Sequence, residues 1–478
     1  MNAAHSPLPD KARPARIAVL SGWMLYYEPH MAPDFRARRL AWLDRIAVLL
    51  GAEGEARSFG LAMDDATSGA IAEALAAWKP DAIVIAPAMP MPPAYLVRAL
   101  ASVPRVPVVL WTASQLETLP PDYGSVAHLE NSGGVGLAMI GNMLGRAGRS
   151  PRVVPGRWDD PAAQEALCHA VRAAAAAGRV TRARVGVLGA PLDGYDNVTV
   201  PPGVLADGVG AELVPVALPE WEQALADVPD SAAAAVADSL RAVAEVSEGP
   251  HFDRSCRLAA ALEGIAARHH LDCGTLNSHL EFGNRNPRIG MTGSLATSWL
   301  TSIGIPFTDT GDTVTAIAML IGRRLSGTSV YTELNMIDYG ADGILLANTG
   351  EADLAATMPG AAWIVPAGDL TGKALAGCIL DAGFRPGVAT ILGFTPRPDA
   401  PGGLRLIAFS GAVVDRPDIA LRVPHHRFRP DRLPAPEGFA RWIEAGATHH
   451  AALCLGPGLA TAAADVARHL GIGFEEVA

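Results

Sequence analysis

The heptapeptide RIAVLSG, residues 16–22, carries the apolar run IAVL and closes on a glycine. At 35–52 the chain continues FRARRLAWLDRIAVLLGA, with apolar side chains recurring at intervals of three and four. A short buried strand feeding an amphipathic helix is the reading these residues give, and the same alternation spreads outward from it. Helix AIAEALAAWKP (70–80) leads to strand DAIVIAP (81–87), and helix AYLVRALASV (94–103) to strand VPVVLWT (106–112). RVVPGRW (152–158) reads as one more strand. β-branched runs joined by helices predict parallel strands covered on both faces, and such sheets bind ligands at the carboxyl ends of their strands.

The helix PAAQEALCHAVRAAAAAGRV (161–180) bridges into a second unit that opens with ARVGVLGAPLDGYDN (183–197), a strand running into a Gly/Asp-rich loop. Helical patterns fill 219–247 and 254–269. From about 323 strands with Gly, Asp and Pro turns take over, and PGVATILGF (386–394) with LRLIAFSGAVV (404–414) has hairpin character. The expected fold is α/β with three domains. Two are open parallel α/β layers (1–177 and 178–322), and the third is a mixed or antiparallel β-rich C-terminal domain (323–478).

The 478 residues are 50% apolar and 18% charged, which permits large cores and argues against disorder. A formal charge of −11 argues against nucleic acid or anionic membrane as the main partner, because both reward clustered Lys and Arg. Cys168, Cys256, Cys273, Cys378 and Cys454 are dispersed and form no C-x-x-C, the pattern of reduced thiols. Prolines and charges interrupt residues 1–20 where a signal peptide needs an apolar stretch, and there is no run of eighteen uncharged apolar residues. A cytoplasmic protein is expected. P-loop, H-E-x-x-H and G-x-S-x-G motifs are absent, which lowers the odds of a nucleotidase, a zincin and an α/β-hydrolase.

Four segments carry residues fit for chemistry. In PFTDTGDTVTAIAML (306–320), Asp309, Thr310 and Asp312 lie in a glycine-punctuated turn. Asp312 stands where a helix begins and serves equally as an N-cap, whereas Asp309 ends a strand and is either solvated or faces a cleft. In YTELNMIDYGADGILLANTGEADL (331–354), alternation puts Tyr331, Glu333, Asn335 and Ile337 on one face. A mid-strand carboxylate demands either solvent or a cationic partner, since a buried unpaired charge is costly. Asn348 closes the next strand and either reaches the same cleft or anchors a turn. His449 and His450 precede the apolar run AALCL and would face opposite ways on a strand. In NSHLEFGNRNPRIG (277–290), His279 and Glu281 share a face if the stretch is extended, and Arg285 and Arg288 are free to hold an oxyanion or to hydrogen-bond a loop.

At these residues the chain resembles the L-arabinose/L-fucose isomerase superfamily. WIEAGATHHAALCLG (442–456) with ARHLGIGFEEV (467–477) resembles that family's C-terminal histidine segment and closing helix–strand. GSLATSWLTSIGIPFTDTGDTVTAIAML (293–320) is similar to its helix, strand and acidic turn, and YTELNMID…ILLANTG (331–350) to its next metal-ligand strand. VVLWTASQLETLP (108–120), which contains Gln115, resembles a segment that lines a neighbouring subunit's site. The resemblance implies a homo-oligomer, a trimer or hexamer, with sites at subunit junctions. It implies a divalent ion (Mn²⁺ or Mg²⁺) and proton transfer through an enediol on a small-molecule carbohydrate.

Carried over by position, Glu333 is general base and metal ligand, His450 a metal ligand with His449 the alternative, and Asp312 the aspartate of the turn. Asp309 or Asp312 stands as replacement carboxylate. Thr310 occupies the place of the family's first carboxylate and Asn348 that of a histidine, while Trp23 falls where one branch binds substrate. With His279, Glu281 and Gln115, these complete the expected substrate contacts. Because of the departures, the same fold with lyase, decarboxylase or hydrolase chemistry on a sugar acid, or a non-catalytic sugar-binding protein, stays open beside isomerisation.

Overall fold

A computed structural model describes residues 7–368 and 376–478, so parts of the expected domains 1–177 and 323–478, and of the N-terminal stretch read for a leader, lie outside the described residues. The chain separates into two compact units, one of Arg13–Thr181 with Asp465–Gly471, the other of Arg182–Ala464 with Ile472–Ala478 and the N-terminal segment ending at Ala12. Among the described residues no helix is long and apolar enough to cross a membrane.

The first unit is built on β1 (Arg16–Gly22), β2 (Glu55–Ala62), β3 (Ala82–Ile85), β4 (Val108–Trp111) and β5 (Arg152–Val154). They form one parallel sheet in the order β2-β1-β3-β4-β5. Successive residues feed two separate cores: Ile17, Val19 and Val84 join one, and Ala18, Leu20, Ile83 and Ile85 the other. That division is why these strands read as continuous apolar runs, since a strand covered on both faces has no polar side. Trp23 is fully buried in the first of these cores, and its indole N–H donates to Glu28 at 3.2 Å. Gln115 follows β4 and donates to the Ala113 carbonyl at 3.0 Å.

The second unit opens with β6 (Arg184–Leu188), β7 (Glu212–Pro215), the two-residue β8 (Glu245–Val246), β9 (Cys273–Leu276) and β10 (Phe307–Asp309). Four of these form a parallel sheet in the order β10-β9-β6-β7. Then follow β11 (Val330–Asp338), β12 (Gly343–Ala347), β13 (Thr357–Pro366), β14 (Cys378–Phe384), β15 (Gly387–Pro396), β16 (Leu404–Asp415), β17 (His425–Pro430), β18 (His450–Leu455) and β19 (Gly473–Val477). β15-β18-β11-β12-β17-β16 run antiparallel, and β16 pairs back onto β15, so six strands close a barrel. The hairpin expected at 386–414 is the closure itself, and closing the ring removes its unpaired edges. β19 adds to β16 in parallel, and β14-β13-β8 make a small separate sheet.

The parallel sheet and the barrel share one hydrophobic core, in which Leu188, Leu276 and Phe307 join Ile391, Phe409 and Leu453. The expected division at 322/323 falls inside the helix Thr313–Ser326, which has β9 on one side and β15 and β18 on the other. Twelve of its fourteen residues are buried, as suits a helix covered all round. It starts at the Asp312 cap and stops where Gly327 turns left-handed at φ 76°.

Candidate functional site

The C-terminal edge of the second parallel sheet gathers Asn277–His279 after β9 and Asp309–Asp312 after β10, where doubly wound sheets bind their ligands. The barrel strands β11 and β18 bring Glu333 and His450 to the same place, paired directly across the two strands. Asp312 uses one carboxylate oxygen to cap the helix, accepting from Thr315 N at 2.8 Å. Its other oxygen lies 2.7 Å from His450 Nδ1. Asp312 therefore caps the helix and meets the histidine at once. His450 Nε2 lies 3.4 Å from Glu333 Oε1, so an aspartate, a histidine and a glutamate stand in line. This is the cationic partner a mid-strand glutamate needs.

The charges follow from that line. Burial penalises the His450 imidazolium, yet hydrogen bonds and attraction from Asp312 and Glu333 outweigh it and push its pKa up to about 9. Burial likewise opposes ionisation of Glu333, but the His450 bond, with His450, His449 and His279 nearby, leaves its carboxyl below the usual range. Glu333 is thus a carboxylate, and its side chain is 29% exposed where that of His450 is 1% exposed. Tyr331 lies under both, its hydroxyl 2.9 Å from His450 Nδ1 and 3.2 Å from Thr310 Oγ1. Burial, then Asp312, holds that phenol well above its ordinary pKa.

Thr310 adopts φ 62°, and Gly311 follows at φ 82°. A Cβ on Gly311 would lie 2.6 Å from the Pro191 backbone, so the turn is closed against the β6 loop. The Thr310 hydroxyl donates to the Asp309 carbonyl at 2.7 Å. Asp309 is buried and accepts from Ser278 N at 2.9 Å, Ser278 Oγ at 3.1 Å and Thr310 N at 2.8 Å. Its Oδ2 is 3.5 Å from Nε2 of His279, whose side chain is 28% exposed. A second histidine–aspartate pair therefore stands near Glu333.

The other expected site residues fall differently. Residues 278–289 form successive turns, with Asn284 N bonded to Ser278 O and Arg285 N to Leu280 O, so Glu281 does not share an extended face with His279 and is exposed. Arg288 pairs with Glu222 at 2.6 Å. β11 shifts register between Leu334 and Met336, and the alternation expected through Asn335 and Ile337 ends there. Asn348 donates to the carbonyls of Tyr331 and Glu351 (2.6 Å each) and accepts from Gly350 N at 2.9 Å and Glu351 N at 3.1 Å. Every hydrogen-bonding valence of its amide is satisfied by backbone.

His449 reaches Asn197, its Nδ1 3.4 Å from Asn197 Nδ2, and its ring lies 3.8 Å from that of His450. It borders a cavity of about 420 Å³ lined by Asp196, Asn197, Thr199, Thr395 and Thr448 among others. Trp23 and Gln115 belong to the first unit. Glu351 was not anticipated. It is 2% exposed, and burial, with Asp309 and Glu333 nearby, pushes its carboxyl up to about 8.

Of the ligands expected for a divalent ion, Glu333 is a partly exposed carboxylate, whereas His450, held as an imidazolium between Asp312 and Glu333, has no lone pair to give a metal. Thr310 and Asn348 are committed elsewhere, and among the described residues no group of three or more His, Cys, Asp or Glu side chains is arranged to hold a metal. The donor set falls short of the centre the resemblance implies. No protein-family model matches the chain, and no curated protein matches its sequence.

Proposed function

We propose that this chain is a carbohydrate-active enzyme that moves a proton between adjacent carbons of a sugar or sugar derivative, in the manner of aldose–ketose isomerases. The observation that carries the reading is the Asp312–His450–Glu333 line, which delivers an ionised, partly exposed carboxylate to the meeting of a sheet edge and a barrel end. Glu333 is the general base: it takes the proton from the carbon beside the carbonyl and leaves an enediolate. His450 and Asp312 are too deeply buried to touch substrate, so they position Glu333 and keep it charged. His279, backed by Asp309, is the second exposed proton carrier and serves the enediolate oxygens. Mn²⁺ or Mg²⁺, if bound, would supply polarisation of the sugar oxygens, but a doubly protonated His450 has no lone pair to give it, which leaves Glu333 as the exposed donor. The proton steps are assigned to the side chains alone.

The leading electrostatic neighbours of Glu333, Glu351 and His450 are histidines and carboxylates, which favours an uncharged substrate over a sugar acid. The assembly as trimer or hexamer and the cytoplasmic setting rest on the sequence resemblance and on five free cysteines.

Wash-in of deuterium at carbon, followed by NMR for a panel of pentoses and hexoses in D₂O, tests the reading. Wild-type protein labels at least one sugar, and Glu333→Gln slows that labelling by roughly 10²–10⁴-fold, the usual worth of a general base. Equal labelling by the variant would remove Glu333 from the reaction.

A further inference from the structure

The cavity beside His449 takes no part in the proton steps above. We propose that it is a binding site for an uncharged, polyhydroxylated small molecule, an alditol or a sugar. Such binding is separate from the Glu333 chemistry and does not rest on it.

Two stretches of the second unit wall the cavity. The loop after β6 supplies Asp196, Asn197 and Thr199. The end of β15 supplies Thr395, and the turn into β18 supplies Thr448 and His449. Both walls are fixed from behind. Val198 is fully buried, and its carbonyl accepts from Thr313 Oγ1 at 3.4 Å, which ties the loop to the helix that Asp312 caps. Opposite, the Trp442 indole N–H donates to the Thr448 carbonyl at 2.9 Å, and Leu334 N donates to the His449 carbonyl at 3.0 Å. Walls already in place spare a ligand the cost of ordering loops. The volume of about 420 Å³ falls within the range of small-molecule sites, roughly 300–1,000 Å³.

The lining dictates what fits. Among the described residues, the Asp196 carboxyl and the Asn197 amide oxygen accept no hydrogen bond. The Asn197 amide N–H donates to His449 Nδ1 at 3.4 Å, so Nδ1 is an acceptor. Burial, then His450, holds that imidazole below its ordinary pKa, and the neutral ring carries its proton on Nε2, a donor with no partner among the described residues. Thr199 and Thr395 donate to the carbonyls of Asp196 and Pro396, at 3.2 and 3.4 Å, and keep lone pairs to accept.

No lysine or arginine is among the lining residues, and the Arg397 guanidinium beside Gly446 is held by Asp399 at 2.9 Å. An anion would therefore meet a carboxyl and no free cation. A hydroxyl, by contrast, donates to Asp196 or Asn197 and accepts from His449. Asp196, Asn197 and His449 are exposed, whereas Thr395 and Thr448 are buried, so the polar groups run from solvent inward and suit a chain of hydroxyls better than a single one.

NMR of the full, metal-free chain labelled at its histidine rings tests this. The probes are xylitol, L-arabinitol, D-glucitol and D-mannitol, and the aldonates that carry a carboxylate at one end instead of a hydroxymethyl group. None is an aldose or ketose, so turnover does not intervene. At least one alditol is expected to shift the His449 ring signals saturably, and its aldonate to bind about tenfold more weakly for want of a cation beside Asp196. Asp196→Ala, on an exposed loop, should weaken the alditol by about tenfold, and Thr395→Val, which removes a hydroxyl at nearly constant volume, by about fivefold. No saturable shift with any alditol, aldonates that bind as tightly, wild-type affinity in Asp196→Ala, or shifts at His279 without His449 would overturn the site. Alditol binding is read apart from sugar labelling by Glu333→Gln, so either idea can fail alone.

Discussion

His426 on β17 and His450 on β18 are buried in the same barrel, at 2% and 1% exposure, yet one is neutral and the other charged. Burial penalises the imidazolium in both. At His426, burial followed by Arg416 and His425 brings the pKa down to about 3. Its ring stacks on Phe384 at 4.0 Å and its Nε2 accepts the Phe384 N–H at 2.7 Å, a bond only the neutral ring can accept. His450 meets two carboxylates instead and rises to about 9. Depth in the fold does not set the charge; the partner does. One histidine is packed against an aromatic ring, and the other stands between two carboxylates.

The comparison predicts a barrel weakened at both ends of the pH scale, by different residues. For His426 the folded value of about 3 lies below the unfolded value of roughly 6.5, so between them the unfolded chain binds a proton that the native state refuses. Its contribution is complete above pH 6.5 and is lost as the pH falls toward 3. His426→Gln keeps an acceptor for Phe384 N–H and should shrink the stability difference between pH 7 and pH 4 by up to roughly 3 kcal/mol in urea unfolding. An unchanged acid slope would mean that His426 is protonated in the native barrel.

For His450 the sign reverses. The folded value of about 9 lies above the unfolded one, so its contribution is complete below pH 6.5 and is lost as the pH rises through 9. Asp312→Asn should flatten this alkaline limb in metal-free protein by up to roughly 3 kcal/mol, with Glu333, Tyr331 and His449 still facing the ring. A limb as steep as wild type would show that Asp312 does not sustain the charge.

Periodicity displays the parallel strands because a strand buried on both faces reads as an uninterrupted apolar run, as the IAVL of RIAVLSG and the AIVIA of DAIVIAP do. Glu333 stood out for the opposite reason, a charge among β-formers. Which histidine pairs with it was not legible, since β11 and β18 meet across more than a hundred residues and no local pattern encodes that pairing. Glu351 was hidden by its surroundings. NTGEADL has the composition of a solvated turn, and nothing local reveals that Asn348 clasps the turn inward or that Asp353 meets Arg323 at 3.1 Å.

The proposed chemistry depends on a charged imidazole standing beside an ionised glutamate. Histidine-labelled, metal-free protein followed by ¹H–¹⁵N NMR across the pH range measures this directly. His450 should keep both ring protons until the pH approaches about 9, while His426 remains neutral down to about 3. A His450 ring that loses its proton at or below roughly 6.5, the value of a free histidine, would contradict it.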